Sequence, residues 1–341
     1  MASPSPSELS LDPDWLPHSF GPDGFDLTFV HVPREARDAL MFLSEEHFEG
    51  RFEKVTVRAA DVAAEAGAAP EAPLHFIFHT AFCASTLMVR ALDLPGRTVG
   101  LKEPDVLINL ANRLIRSDDS ANRDRLRLVL RLLARPYGPD EAVILKPTNF
   151  ANRLLLPAME MLPNARTVLL HSDLPTLLRS LVKRGLWGRT WARKLYRSIG
   201  AWVRLDTGYD AGEIFELTEL QVAGLAWLMQ IRHFDEAKRR LGDRAMVVDS
   251  AGFLADPATT LQAVARLFGI KLDSAEAEAI AAGPVFSRHS KFSQRDYSVE
   301  AREAEHDAAI AAHGEEIDMV VKWIEAVADH CGAPMRPGKG A

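Results

Sequence analysis

The residues best suited to handling a charged group lie close together in one stretch of the chain. Leu74-His-Phe-Ile-Phe-His-Thr-Ala-Phe-Cys-Ala-Ser-Thr-Leu-Met88 reads as a buried strand, a loop of small and polar residues, and a helix opening at Ser85-Thr86. That order builds an anion cradle, because unpaired N–H groups of the first helical turn point at a phosphate and the helix dipole favours its charge. Thr80, Cys83 and Ala84 belong to the loop, and the hydroxyls of Ser85 and Thr86 would add donors and cap the helix. The stretch is not a Walker A loop. That motif needs a Lys before its Ser/Thr, whereas Ala84 precedes Ser85 and the loop holds no glycine, which argues against ATP or GTP hydrolysis. An ordinary strand-to-helix turn with a Ser/Thr cap is the plain alternative.

Acid–base chemistry beside this loop would need a titratable side chain, and Glu103, after a short strand, is the first candidate. A salt bridge to Lys102 or Lys146, or stabilisation of a helix begun at Pro104, would equally account for it. Lys146 ends a strand on the side where α/β proteins bind ligands, so it is either a site cation or an ordinary strand-end lysine. His79, at the strand-to-loop junction, is the alternative base, or else a hydrogen-bonded structural histidine.

Between Leu174 and Leu205 stand Arg179, Lys183, Arg184, Arg189, Arg193, Lys194, Arg197 and Arg204, with no acidic residue and with Trp187, Trp191, Tyr196 and Trp202 interleaved. This strip is either a solvated basic face or an anion-binding one. Arg179 and Arg184, flanking Ser180, are its candidate anion contacts. Arg288 and Lys291, in a polar loop before the last helix, are a second basic pair. Cys83 is an activated thiol or, more plainly, a packed one. His289, His306 and His313 have no ligand spacing, so no metal is expected.

The elements that must position these residues follow from hydrophobic periodicity. Strands are expected at Leu74–His79, Thr98–Leu101, Ala142–Lys146, Arg166–Leu170 and Ala245–Asp249, with helical connections between them, as a parallel sheet requires. The intervening helices are expected at Ala84–Leu92, Pro104–Ile115, Asn122–Ala134, Arg153–Met161, Pro175–Arg184, Thr190–Leu205 and Leu217–Leu241. Residues 1–72 read as an N-terminal attachment, with a strand-like Leu27–Val32, an amphipathic Ala36–His47 and a linker at Ala59–Pro73. Residues 73–297 read as an α/β core, and 298–341 as a C-terminal helix with a frayed tail.

Composition bounds the function classes. The 341 residues are 47% hydrophobic and 26% charged, which excludes collagen-like, low-complexity and wholly disordered chains. A net charge of −7 argues against a whole-protein nucleic-acid or anionic-membrane binder and leaves room for a local basic face. Two cysteines cannot build a disulfide scaffold. The N-terminus lacks the regions of a signal peptide, and no apolar run of about 18 residues exists, so a soluble cytoplasmic protein is expected.

The loop resembles the 5′-phosphosulfate loop of the sulfotransferase superfamily, matching it at Cys83, Ser85, Thr86 and Leu87. Further similar segments follow in the family's order. They are Leu101-Lys-Glu-Pro104, Val143-Ile-Leu-Lys-Pro-Thr148, Leu162 to Leu170 followed by Ser172-Asp173 and Ser180, Val247-Val-Asp-Ser250, and Leu267-Phe-Gly-Ile270. Two departures stand out: Phe82 occupies the usual Arg/Lys position of the loop, and Ser172 the usual Arg of the 3′-phosphate site.

The resemblance implies a P-loop NTPase-like three-layer α/β sandwich with about five parallel strands and helical insertions. It implies 3′-phosphoadenosine 5′-phosphosulfate (PAPS) as co-substrate, with 3′-phosphoadenosine 5′-phosphate (PAP) as product and a small-molecule or carbohydrate acceptor. Thr80, Cys83, Ala84, Ser85, Thr86, Ser172, Arg179, Ser180, Arg184, Arg288 and Lys291 would contact the donor. Glu103 would be the base, and Lys146 would replace the cation missing at Phe82. The alternative is a nucleotide-binding module of the same fold that has lost transfer; a small-molecule kinase is less favoured by the absent Walker lysine.

Overall fold

A computed structural model describes residues 3–48, 50–67, 72–287 and 299–338, the side chains of 287 and 299–310 excepted. Among them eight strands form two sheets. The strands β1 (Trp15–Phe20), β2 (Asp26–His31) and β3 (Lys54–Arg58) pair antiparallel in chain order. The strands β4 (Leu74–His79), β5 (Thr98–Lys102), β6 (Ala142–Lys146), β7 (Thr167–His171) and β8 (Ala245–Asp249) form a parallel sheet ordered β5-β6-β4-β7-β8.

The parallel strands are apolar because both their faces are covered. Alternate side chains go to opposite faces. Phe76, Phe78, Leu101, Val143, Leu145 and Leu169 join one core cluster, and Ile77, Ile144, Val168, Leu170 and Val248 join the other. The first face is covered by helices Asp105–Arg116, Ser120–Leu133 and Leu155–Met161, the second by Ser85–Ala91 and Pro257–Phe268. The chain leaves β4 for the edge strand β5, returns to β6 beside β4, then crosses to β7 on the other side. Such a switch point leaves a crevice at the carboxyl ends of the strands, where open α/β sheets bind ligands. His79, Lys102, Lys146, His171 and Asp249 end their strands on that edge.

A third cluster lies at this end of the sheet, built by helices Leu174–Val182, Glu219–Leu241 and Val299–Cys331. The last two run close together: a Cβ at Gly224 would stand 2.6 Å from Ile324 Cγ1, so glycine is what admits the contact.

The N-terminal region differs from its expected form. β1 and β3 went unread because His18 and Lys54 interrupt their apolar alternation and Pro17 reads as a breaker. Ala59–Ala66, expected as linker, is a helix, since its alanines favour one and Val62 and Ala66 are buried on one side. Ala36–His47 is split into Arg34–Ala39 and Glu45–Phe48, and the segment between them docks on β5: Leu43 N–H donates to Lys102 O at 2.7 Å. Leu9, Trp15, Leu27 and Phe29 share the core cluster of the parallel sheet.

Arg135 staples the N-terminal region to that sheet. Buried at the end of helix Ser120–Leu133, it donates to the carbonyls of Leu132, Leu9, Asp12 and Trp15. Burial pushes its pKa down to about 9. Replacement by Met removes the donor from the carbonyls of Leu9 and Trp15 and leaves Asp12 O with the Trp15 N–H alone, so R135M is expected to lower the unfolding free energy by about 3 kcal/mol in urea titration. An unchanged midpoint would show that Arg135 is incidental to docking.

Candidate active site

Beyond His79 the chain turns through five residues into a short helix, Ser85–Ala91. Three of the five are non-glycine residues in the left-handed region: Ala81 (φ 78°), Phe82 (φ 51°) and Ala84 (φ 62°). Each such residue costs about 1–2 kcal/mol in a chain of L-residues. The first two N–H groups of the loop are bonded within the protein, Thr80 N–H to Leu170 O at 3.1 Å and Ala81 N–H to His79 Nδ1 at 3.1 Å. Ala84, not Ser85, is the N-cap, and no side-chain cap hydrogen bond is made. The capping expected of Ser85 and Thr86 is therefore corrected: the left-handed turn at Ala84 starts the helix at Ser85, placing both hydroxyl residues inside the first turn. Thr80 and Cys83 are enclosed. Burial raises the Cys83 thiol, partly opposed by nearby Lys146, so Cys83 is a packed thiol rather than a thiolate.

Glu103 and Lys146 meet at the ends of β5 and β6. Lys146 is fully buried and its ammonium donates to the Glu103 carboxylate. Glu103 is itself left-handed (φ 52°), and its N–H donates to Lys146 O at 2.7 Å, so backbone and side chain both bind it to β6. The Phe42 ring centroid lies 5.1 Å from Lys146 Nζ, a cation–π contact supplied by the N-terminal region. Lys102, the other lysine weighed as a partner of Glu103, turns away and donates to Arg37 O and Leu40 O at 2.7 and 2.8 Å. Burial lowers its pKa to about 8.

His79 approaches the same carboxylate, with Nε2 3.8 Å from Glu103 Oε1. Its Nδ1 accepts the Ala81 N–H at 3.1 Å. An accepting Nδ1 puts the proton of the neutral ring on Nε2, facing Glu103. That proton stands 3.8 Å from Glu103 Oε1, beyond hydrogen-bond distance, so His79 and Glu103 face one another without a direct bond.

A second layer holds the loop. Ser172 N–H donates to Thr80 Oγ1 at 3.2 Å, and Trp227 Nε1 donates to Ser172 O at 2.9 Å. Asn152 Nδ2 donates to His79 O at 3.1 Å and to Gln230 Oε1 at 3.3 Å, and Asn149 Nδ2 also reaches Gln230 Oε1. His233 Nε2 is 3.1 Å from Asn152 O. Asn149, Asn152, Trp227 and Gln230 were not singled out in the sequence. The available signal was a glutamine and a tryptophan within the otherwise apolar stretch of helix Glu219–Leu241, where a polar group needs a buried partner.

The basic strip divides. Arg179 and Ser180 occupy the last turn of Leu174–Val182, and Arg179 Nε is buried without a hydrogen-bond partner among the described residues. Ser172 is enclosed before that helix, its Oγ likewise unpartnered. The helical rise between Leu174 and Ser180 alone spans about 9 Å, so the two serines address different points. The Arg184 guanidinium carbon lies 4.7 Å over the Phe82 ring and 5.5 Å over Trp187. Phe82 also meets Trp191 edge-on at 5.2 Å. Arg193 is tied to Leu217 O at 2.8 Å, whereas Arg189, Lys194 and Arg197 face outward. Arg288 and Lys291 lie outside the described residues.

Among the described residues no cluster of His, Cys, Asp and Glu could hold a metal ion. No described helix is long and apolar enough to cross a membrane. A cavity of about 510 Å³ between Asp235, Arg239 and the segment Asp329–Arg336 is lined by none of the loop residues, nor by Glu103 or Lys146.

No protein-family model and no curated protein matches the chain. Solved structures similar to it include the sulfotransferase domain from the curacin biosynthetic pathway, at 11% identity and a TM-score of 0.46 over 77% of this chain and 98% of that one. The sulfotransferase domain of the Synechococcus PCC 7002 olefin synthase is similar at 16% identity and a TM-score of 0.41, over 76% and 96%. A sulfotransferase of Mycobacterium tuberculosis H37Rv is similar at 14% identity and a TM-score of 0.40, over 71% and 76%.

Two measurements test the loop and its support. Gly relieves a left-handed position, so A84G is expected to raise stability by about 1 kcal/mol, the reverse of its effect inside a helix; a loss would contradict the turn. Burial pushes His75 and His233 down to about 4. Between their ordinary value of 6.5 and about 4 the unfolded chain binds protons that the folded chain refuses, so stability falls as pH drops through that window. Asp93, pushed up to about 6 by burial, opposes this because the folded chain keeps its proton longer there. With two histidines against one aspartate, the thermal midpoint is expected to fall on acidification from about 6.5 to 4. A midpoint that stays level or rises would mean that the histidines are solvated.

Proposed function

We propose that the chain is a sulfotransferase-like enzyme that transfers a sulfuryl group from PAPS to a hydroxyl or amine of a small molecule or carbohydrate. The observation that carries this reading is one juxtaposition: a left-handed loop between strand and helix at the switch point, with a buried ammonium and a carboxylate beside it. The segments resembling the sulfotransferase superfamily fall on those same structural parts.

In this reading the loop N–H groups, with Ser85 and Thr86, hold the 5′-phosphosulfate, and Arg179 and Ser180 serve the 3′-phosphate. The acceptor O–H gives its proton to Glu103 as its oxygen bonds to sulfur, and the bond from sulfur to the bridging oxygen breaks, with PAP leaving as the anion. Lys146 offsets the charge that gathers on that oxygen, the task of the cation absent at Phe82. As in phosphoryl transfer, positioning and fixed charge carry most of the rate. Phe82 in the cation's place also favours a second reading, a nucleotide-binding module without transfer.

E103Q keeps a hydrogen-bonding partner for Lys146 and removes the base. It is expected to lower sulfate transfer by a factor of about 100 or more while PAP binding in calorimetry persists. Absence of PAP binding in the native protein would end the PAPS reading. Binding without transfer to any acceptor of a broad radiolabelled screen would favour the module. K146A is expected to lower transfer by a similar factor; undiminished transfer would make Lys146 structural.

A further inference from the structure

The helix Gly185–Gly200 buries Gly188, Ala192, Leu195 and Ile199. Its opposite row is Leu186, Thr190, Lys194 and Arg197, spaced by three and four residues and exposed. Leu186 is 77% exposed and Trp187 is 56% exposed, two large apolar side chains adjacent at one end of a basic row. Arg189 is exposed on the same helix and Arg204 just beyond it. Arg189, Lys194, Arg197 and Arg204 form no ion pair among the described residues, and no acidic residue occurs between Leu174 and Leu205. The aromatic end is not a loose tip: Trp187 stacks on Trp191 at 6.3 Å, and Trp191 touches Phe82 of the left-handed loop.

We infer that this surface docks on an anionic lipid bilayer. Clustered Lys and Arg are drawn to anionic headgroups, while leucine gains from apolar depth and tryptophan favours the boundary between the two. A bilayer offers negative charge and apolar depth in the same layered order that the helix presents cations and an apolar tip. The chain's net charge of −7 does not oppose this, since it averages over a local strip: without the eight cations between Leu174 and Leu205 the rest of the chain carries −15, and of Arg189, Arg193, Lys194, Arg197 and Arg204 only Arg193 meets a carboxylate among the described residues, Glu219 at 3.8 Å. The Trp187–Trp191–Phe82 contacts then bring the loop close to the headgroup layer. The inference is independent of the transfer proposed above.

The test uses the full chain and sedimentation with vesicles of phosphatidylcholine alone or with one third phosphatidylglycerol. Binding is expected on the anionic vesicles, at least tenfold weaker on the neutral ones, and weakened as salt rises from about 0.1 to 0.5 M. Trp187 emission, taken as the difference between native protein and W187F, is expected to shift to the blue on binding. L186D, and K194E combined with R197E, are each expected to weaken binding about tenfold or more, with unchanged circular dichroism showing intact folding. W187S supplies a second variant for the tip. Absence of binding to the anionic vesicles, equal binding to both compositions, or native-like binding by these variants would overturn the inference.

Discussion

Three left-handed residues without a glycine among them form a turn that the chain would not adopt alone. At about 1–2 kcal/mol each, Ala81, Phe82 and Ala84 persist only where their surroundings over-determine them. Those surroundings are the two neighbours of β4. From the β7 side, Ser172 N–H seizes Thr80 Oγ1; from the β6 side, Asn152 seizes His79 O, and Gln230 joins Asn149 and Asn152 behind both. The sheet order makes this possible, because only a strand with β6 on one side and β7 on the other is clamped from both directions. Strand order, helix Glu219–Leu241 and the buried amides therefore serve one purpose, the support of a strained turn.

The ion pair beside the turn depends on a different part of the chain. Lys146 is fully buried, and breaking such a pair by removing one partner typically costs about 3–5 kcal/mol. Its ammonium is enclosed because the segment after Arg34–Ala39 lies along β5, with Leu43 bonded to Lys102 and Phe42 laid near Lys146. Arg135 secures the same region from behind through backbone carbonyls. The N-terminal region is thus coupled to the ends of β5 and β6: its segment between Arg34–Ala39 and Glu45–Phe48 supplies part of the wall that encloses the Lys146 ammonium.

What the sequence revealed follows from what periodicity can carry. The bounds of β4, β6 and β8 agree residue for residue with expectation, because a doubly covered strand must be apolar throughout and its ends must be polar. The same logic reached Glu103 and Lys146, each at a strand end, and left open their relation, which depends on which strands are neighbours. Strand order is a long-range property: β5 and β6 are adjacent in space, although helices Asp105–Arg116 and Ser120–Leu133 lie between them in sequence. The left-handed turn was illegible for another reason. Nothing in Ala-Phe-Cys-Ala signals positive φ, since the usual marker is glycine. The support layer stayed hidden because one glutamine in an apolar helix acquires meaning only from its partners.

Phe82 shows how a cation can be held beside the turn with no charged residue in it. The Phe82 side chain meets Trp191, and its ring face carries Arg184, so the aromatic residue holds a guanidinium against the turn. Lys146 approaches from β6, on the other side of β4 from the strip that follows β7. Two cations thus stand beside the turn from opposite neighbours of the central strand, and no charged side chain is added to a turn already under strain.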